Sequence, residues 1–316
     1  MITWIEPVEI VNTVYSSWVD IDASAYVSAG ATGVILRVAG GIDGADRSAG
    51  IRKNGSSDNR FGIVTGVDVG LAIFGVDDNK IFEIYETAET PKMYIVGFAE
   101  DEAVFFTNGI DKTPASKGSW QDIDISSSVS TDAGNIAGAI IELRRTSSFT
   151  YEILNTRANG STDNRISANA RASWQKTNLV KVDTNNIFEC YSQSTGSLIF
   201  LTGYFLNGAN INFNVNAVDV SLAGINSYTD IPIGAEASGV FMERNTIATS
   251  LYIGDIRKNG ATMAVTDKVA RFSQVGVECD ALGVVEGTIS NLAMDFFLIA
   301  ITTKTSTFTP KIMMIE

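Results

Sequence analysis

The chain has 316 residues, 45% of them hydrophobic and 19% charged, with few prolines, the composition of a folded protein with room for two or three cores. Its 23 basic residues against 36 acidic ones give a net charge of −13, which argues against the clustered cationic surface that nucleic-acid phosphates require. Histidine is absent altogether, which excludes Ser-His-Asp and Cys-His nucleophilic sites and most zinc and iron sites.

The first residues, Met1-Ile2-Thr3-Trp4-Ile5-Glu6-Pro7, carry neither the basic nor the apolar region of a signal peptide. No apolar run approaches the roughly 20 residues of a membrane span. The expectation is a soluble protein made in the cytoplasm, with no membrane partner. Residues 1–15 precede the first repeat and are read as an N-terminal arm, either an added strand or a contact with a neighbour.

From there the chain repeats itself. Ser17-Trp18-Val19-Asp20-Ile21-Asp22 returns as Ser119-Trp120-Gln121-Asp122-Ile123-Asp124 and as Ser227-Tyr228-Thr229-Asp230-Ile231-Pro232. The alternation predicts a strand with one buried face, and the aromatic residue reads as a core anchor. A second strand follows with a glycine before a β-branched run: Gly33-Val34-Ile35-Leu36-Arg37, Gly138-Ala139-Ile140-Ile141-Glu142 and Gly239-Val240-Phe241-Met242-Glu243. The charged residue near the end of each is expected to leave the core.

The most recognisable segment comes next. Ile51-Arg52-Lys53-Asn54-Gly55-Ser56-Ser57-Asp58-Asn59-Arg60 recurs as Thr156-Arg157-Ala158-Asn159-Gly160-Ser161-Thr162-Asp163-Asn164-Arg165. It recurs more loosely as Ile256-Arg257-Lys258-Asn259-Gly260-Ala261-Thr262. The Asn-Gly steps lie 105 and 100 residues apart, a domain-length period and not a solenoid one. Asn-Gly between β-prone segments predicts a hairpin with a type I′ turn. The last third of each copy reads as paired strands, Ile81-Phe82-Glu83-Ile84-Tyr85 and Met93–Phe98 in the first, joined to what precedes by Asp-rich turns such as Asp77-Asp78-Asn79-Lys80.

No sustained 3.6-residue apolar period occurs. The fold class is therefore all-β: three tandem antiparallel β-sandwich domains of jelly-roll or immunoglobulin-like type. The expected repeats span 16–100, 118–205 and a diverged 227–303. A linker is expected at 101–117, a linker or extra strand at 206–226, and a tail at 304–316. Cys190 and Cys279, at related points of copies two and three, read as buried thiols, although pairing between them stays open.

No catalytic or cofactor signature emerges: neither a GxGxxG opening a helix nor a P-loop is present. The carboxylates Asp20/Asp22, Asp122/Asp124, Asp77, Asp183, Glu83, Glu189 and Glu286 recur with the repeat, as structural positions do. Calcium is the ion their oxygens would suit, but no EF-hand or nonapeptide pattern accompanies them. Asp58, Asn59 and Arg60, with Asp163, Asn164 and Arg165, are the candidate contact residues. They serve either a turn in which arginine pairs with a carboxylate or a ligand or domain–domain contact. Copy three has Met263-Ala264 in place of Asp-Asn. Trp174, unmatched in the other copies, is the candidate for stacking on a sugar.

Trp-x-Asp-Ile-Asp, Ala-x-Gly-Val-Ile-Leu, Arg-Lys-x-Gly-Ser-x-Asp-Asn-Arg and the closing Ile-Phe-Glu…Tyr-x-x-Gly-Phe together resemble a β-sandwich repeat of virion proteins of tailed bacteriophages. The resemblance covers nearly all of copies one and two. It implies a non-enzymatic structural protein of the virion, of tail, fibre or decoration type. Its partners would be other virion proteins, in a homo-oligomer or lattice. A carbohydrate-binding module for host adhesion is the competing reading, and a two-carboxylate glycan hydrolase comes third.

Overall fold

The computed structural model describes residues 1–39, 47–64, 69–88, 92–145, 152–165, 168–169, 175–246, 252–261, 268–269 and 272–304. The first sandwich comprises β1 (Ile2–Ile10), β2 (Trp18–Asp22), β3 (Gly33–Ala39), β4 (Arg47–Lys53), β5 (Gly62–Val64), β6 (Val69–Gly75), β7 (Ile81–Glu86) and β8 (Lys92–Ala99). The second comprises β9 (Ala103–Asp111), β10 (Trp120–Asp124), β11 (Ile136–Arg145), β12 (Glu152–Ala158), β13 (Ala168–Asn169), β14 (Gln175–Lys181), β15 (Ile187–Ser192) and β16 (Ser197–Leu206). The third comprises β17 (Ile211–Asp219), β18 (Thr229–Pro232), β19 (Ala237–Thr246), β20 (Tyr252–Lys258), β21 (Lys268–Val269), β22 (Phe272–Glu278), β23 (Val284–Ile289) and β24 (Met294–Thr303).

Each sandwich pairs its strands in one pattern. One sheet runs first-eighth-third-sixth and the other second-seventh-fourth-fifth, antiparallel throughout. Eight strands wound in this order form a jelly roll and not the seven- or nine-stranded immunoglobulin arrangement. The alternation is clearest on the seventh strands. Phe82 and Ile84 of β7 point inward while Glu83 and Tyr85 point out, and Phe188 and Cys190 of β15 do the same against Glu189 and Tyr191.

Two corrections follow. The segments 1–15 and 206–226, for which an added strand is one of two readings, contain β1 and β17, while 101–117, expected as a linker, contains β9, so each sandwich begins one strand before the recurring wording. The Asn-Gly step is not a type I′ turn, because only Gly55, Gly160 and Gly260 have positive φ while the asparagines do not. That is the type II pattern, with Ser56 N–H bonded to the Lys53 carbonyl at 3.1 Å, at the head of a longer loop between β4 and β5. Cys190 and Cys279 are buried free thiols in different sandwiches, the first on β15 and the second just after β22. Burial pushes both up to about 12. Of the expected tail, residues 305–316 lie outside the described residues.

Each sandwich has its own core, and a fourth core joins all three. Ile35, Leu71 and Ile73 of the first, Phe105, Ile140, Leu179 and Phe205 of the second, and Phe213 and Phe241 of the third form one cluster. The sixth strands, β6, β14 and β22, meet one another at its centre. The sandwiches thus close head to tail in a ring with approximate three-fold symmetry, through their first-eighth-third-sixth sheets.

The sixth strand is the edge of its sheet, so its outer N–H and C=O groups need partners. Side chains of the next sandwich supply them. Thr177 Oγ1 accepts from Ile73 N–H at 3.3 Å, and Gln274 grips Leu179 at both N–H (2.7 Å) and C=O (3.2 Å). Leu71, Thr177 and Gln274 occupy equivalent positions, as their pairings with Arg37, Glu142 and Glu243 show. Three different residues around one axis is an arrangement open to a single chain but not to a symmetric homotrimer.

Candidate functional site

The recurring Arg-x-Asn-Gly-Ser-x-Asp-Asn-Arg segment lies where one sandwich meets the next, and its geometry is built from the outer face of its own sandwich. Trp18 and Trp120 are half-buried on that face and are not core anchors. Arg52 lies over the Trp18 ring at 4.1 Å, and its Nε and Nη2 bond the Glu83 carboxylate at 2.9 and 2.8 Å. Arg157, Trp120 and Glu189 repeat this, and so do Arg257, Tyr228 and Glu286. The stacked arginine reaches the loop, since Arg52 Nη1 donates to the Asp58 carbonyl and Arg157 Nη1 to that of Asp163. Trp18 Nε1 donates to Asn59 Oδ1 at 2.9 Å, and Trp120 Nε1 to Asn164 Oδ1 at 3.2 Å. Below the loop, Asn54 and Asn159 donate to Asp77 and Asp183, whose other oxygens accept two backbone N–H groups each. Burial pushes the Asp77 and Asp183 carboxyls up, but these hydrogen bonds outweigh it and hold both below their ordinary value.

So positioned, the tip of the loop clamps the first strand of the following sandwich. Asn108 Oδ1 accepts from Ser56 Oγ and Ser57 N–H, each at 2.9 Å, and Asp58 Oδ2 accepts from Gly109 N–H at 2.7 Å. The second seam repeats this with Asn216, Ser161, Thr162, Asp163 and Ala217. Arg60 reaches deeper. It forks onto Glu142 at 2.9–3.1 Å, pairs with Asp58 at 2.7 Å and lies 4.1 Å over the Phe200 ring. Arg165 does the same with Glu243 at 3.1 Å, with Asp163, and with Phe297. Glu142 and Glu243 leave the sandwich core, as expected, but enter a seam in which they are fully buried. Burial pushes the Glu243 carboxyl up against the opposing pull of Arg165.

The glycine at the head of each third strand has its explanation here. A Cβ on Gly33 would lie 2.3 Å from the Phe105 ring, and one on Gly138 would lie 2.5 Å from Phe213. On Gly239 it would lie 2.1 Å from Trp4 Nε1, so the aromatic residue of each first strand packs against the neighbouring sandwich around the whole ring. Burying a phenyl ring contributes about 1.5–3 kcal/mol.

The third seam breaks the pattern. Arg37 stands where Glu142 and Glu243 stand, and its guanidinium bonds Asp255 of β20 at 2.6 Å, so the charges are reversed across the joint. Asp255 also accepts from Tyr228 Oη at 2.5 Å. Ala261 replaces the clamp serine, and Met263-Ala264-Val265, which lie outside the described residues, replace Asp-Asn-Arg.

Of the candidate residues, Asp58, Asn59, Arg60, Asp163, Asn164 and Arg165 are thus brought together at seams one and two, while Trp174 lies outside the described residues. Among the described residues no three His, Cys, Asp or Glu side chains are grouped so as to hold a metal ion. Asp20, Asp22, Asp122 and Asp124 are exposed, and Asp22 and Asp124 accept from the N–H two residues on. Sequence reasoning missed Glu142, Glu243, Asn108 and Asn216 as partners of the motif.

No family model matches the chain, and no curated protein matches it. Among solved structures, a chain from the atomic structure of Sulfolobus turreted icosahedral virus is similar at 11% identity, with 95% of this chain and 91% of that chain covered. The TM-score is 0.20, a level at which the likeness carries no argument about fold or role.

Proposed function

We propose that this chain is a non-enzymatic structural component of a tailed-phage virion, a capsid-associated decoration or tail part that acts as a trimer of jelly rolls folded from one chain. The observation that carries this reading is the use made of its recurring polar motif. Arg60, Asp58 and their counterparts in the second copy are engaged in joining sandwiches, so the chemistry that the repeat preserves is the chemistry of assembly. A ring of three related domains presents three similar outer faces, which suits a three-fold or six-fold neighbour in a particle. The repeat's resemblance to virion β-sandwiches points the same way.

Host-glycan adhesion is the second reading, favoured by the half-exposed Trp18 and Trp120 on outer faces. Against it, each indole already carries an arginine over one face and donates its N–H within the chain.

The test is sedimentation of the purified protein with phage particles lacking it, in parallel with a glycan array. Saturable, stoichiometric binding to particles with no glycan hit is the expected result. A protein that binds glycans and never particles overturns the structural reading in favour of adhesion.

A further inference from the structure

Four of the five Asn-Gly steps in the chain stand at the centre of the same turn. Lys53–Ser56, Ala158–Ser161 and Lys258–Ala261 each close with a bond of 3.1 Å from the last N–H to the first carbonyl, and Leu206–Ala209 closes with one of 3.2 Å. In all four the glycine has positive φ, from +73° to +98°, and the asparagine does not, the type II pattern. The backbone and the dipeptide are therefore held constant, and the side-chain surroundings differ.

In three of the turns the asparagine is tethered. Asn54 Nδ2 donates to Asp77, Asn159 Nδ2 to Asp183 and Asn259 Nδ2 to Asp280, at 2.7–2.8 Å. The fourth differs: Asn207 and Gly208 are exposed, and the Asn207 side chain makes no hydrogen bond among the described residues. The remaining step, Asn108-Gly109, lies within β9, where Gly109 N–H is held by Asp58 and Asn108 Oδ1 by Ser56 and Ser57.

The tether governs the chemistry open to an Asn-Gly step. Glycine has no Cβ to screen its backbone nitrogen. That nitrogen can attack Cγ of the preceding asparagine when the amide is free to swing onto it. The new N–Cγ bond forms, the Cγ–Nδ2 bond breaks, and ammonia leaves with the proton of the glycine N–H. Water then opens the cyclic imide at either carbonyl and leaves an aspartate or an isoaspartate. An amide held by an aspartate is kept from the attacking geometry, and the Asn207 amide is not.

We propose that Asn207-Gly208 is a site of spontaneous deamidation, at which the folded chain acquires a carboxylate after synthesis. Such a site goes beyond the virion reading and stands without it. The new charge appears in the wall of a cavity of about 490 Å³ between sandwiches two and three, which Asn207 lines together with the half-buried Lys181. Asp183, the carboxylate already in that wall, is engaged by Asn159 and by two backbone N–H groups. Three positions further on, Asn210 bonds both Ile2 and Thr303, so the change falls beside the joint where the first and last strands of the chain meet.

The test is peptide mapping by mass spectrometry of the full-length protein aged at pH 8, with isoaspartate scored alongside aspartate. Asn207 should convert at least five-fold faster than Asn54, Asn159 or Asn259. Ageing in urea, where the fold and its tethers are gone, should bring the four rates within two-fold of one another, which assigns the contrast to the fold and not to flanking residues. Equal rates in the folded protein, a tethered asparagine that outpaces Asn207, or a contrast that persists in urea each overturns the proposal.

Discussion

The guanidinium of Arg60, in the first sandwich, grips the fully buried carboxylate of Glu142, 82 positions later in the second, through three contacts of 2.9–3.1 Å. Forked pairing of this kind satisfies both charges, and its value lies in specificity as much as in stability. Removing one partner exposes the cost of burying the other. Arg60→Met should destabilise the protein by about 3–5 kcal/mol in urea unfolding, and Arg60→Lys by less, since it keeps the charge but loses the fork. Arg60→Met combined with Glu142→Leu should recover more than half of the loss. A double variant no more stable than the single one would mean that the pair does not act as a unit.

The contact of Phe105 with Gly33 yields a second prediction. Gly33→Ala places a methyl group against both the ring and the Phe74 carbonyl, 2.8 Å away, and should cost about 1–3 kcal/mol by overpacking. Phe105→Ala should cost about 3–5 kcal/mol through the cavity it leaves. In the double variant the methyl group no longer meets the ring, so the combined loss should fall short of the sum by at least about 0.5 kcal/mol. Additivity would show that the glycine serves its own strand and not the seam. Gly138 with Phe213 and Gly239 with Trp4 provide two replicas of the same cycle.

The three β-sandwich repeats are legible because strands with one buried face alternate, and the copies alternate in step; the choice of jelly roll over immunoglobulin-like order needs the strand pairing. What escaped was set by contacts between sandwiches. β1, β9 and β17 carry register shifts, between Trp4 and Val8 for example, that break the alternation by which a strand is recognised. Their aromatic residues face a neighbour and not their own core. Trp18 was misread as an anchor although the signal was present: it stands three residues from Ile21, and in a strand an odd separation places two residues on opposite faces. With Ile21 directed inward, Trp18 had to point out. The Asp-Asn-Arg motif was recognisable as a motif, but its partner Glu142 read only as a charge leaving a core.

At the ring's centre, Gln274 replaces a sheet partner for β14. Gln274→Leu keeps most of the volume but leaves the N–H and C=O of Leu179 without their amide, at about 1–3 kcal/mol for each buried group. Thermal unfolding should register the loss. Amide exchange should localise it, with protection at Leu179 falling more than at Ile140 on the adjoining strand. Unchanged protection would mean that another group already satisfies that edge.

Glu86 supplies a test by pH. It ends β7 on the inward face of the first sandwich, at the position held by Ser192 and Ile289 in the other two, and its carboxylate accepts from Asn12 Nδ2 at 3.0 Å. Burial pushes it up to about 7, and the single hydrogen bond from Asn12 offsets only part of that. The folded state therefore holds this proton more tightly than the unfolded chain, whose glutamates titrate near 4.5. The sign follows: the contribution of Glu86 is fully present below about pH 4.5, is lost as pH rises towards 7, and stays lost above it. Glu86→Gln keeps the shape and removes the titration. It should stabilise the protein at pH 8 by about 1–3 kcal/mol, leave stability at pH 4.5 nearly unchanged, and flatten the slope between them in urea titrations across that range. Asp77 and Asp183, held below their ordinary value, act in the opposite sense and only at the acid end, so they do not mask the effect. A slope that survives Glu86→Gln would assign the pH dependence to another group.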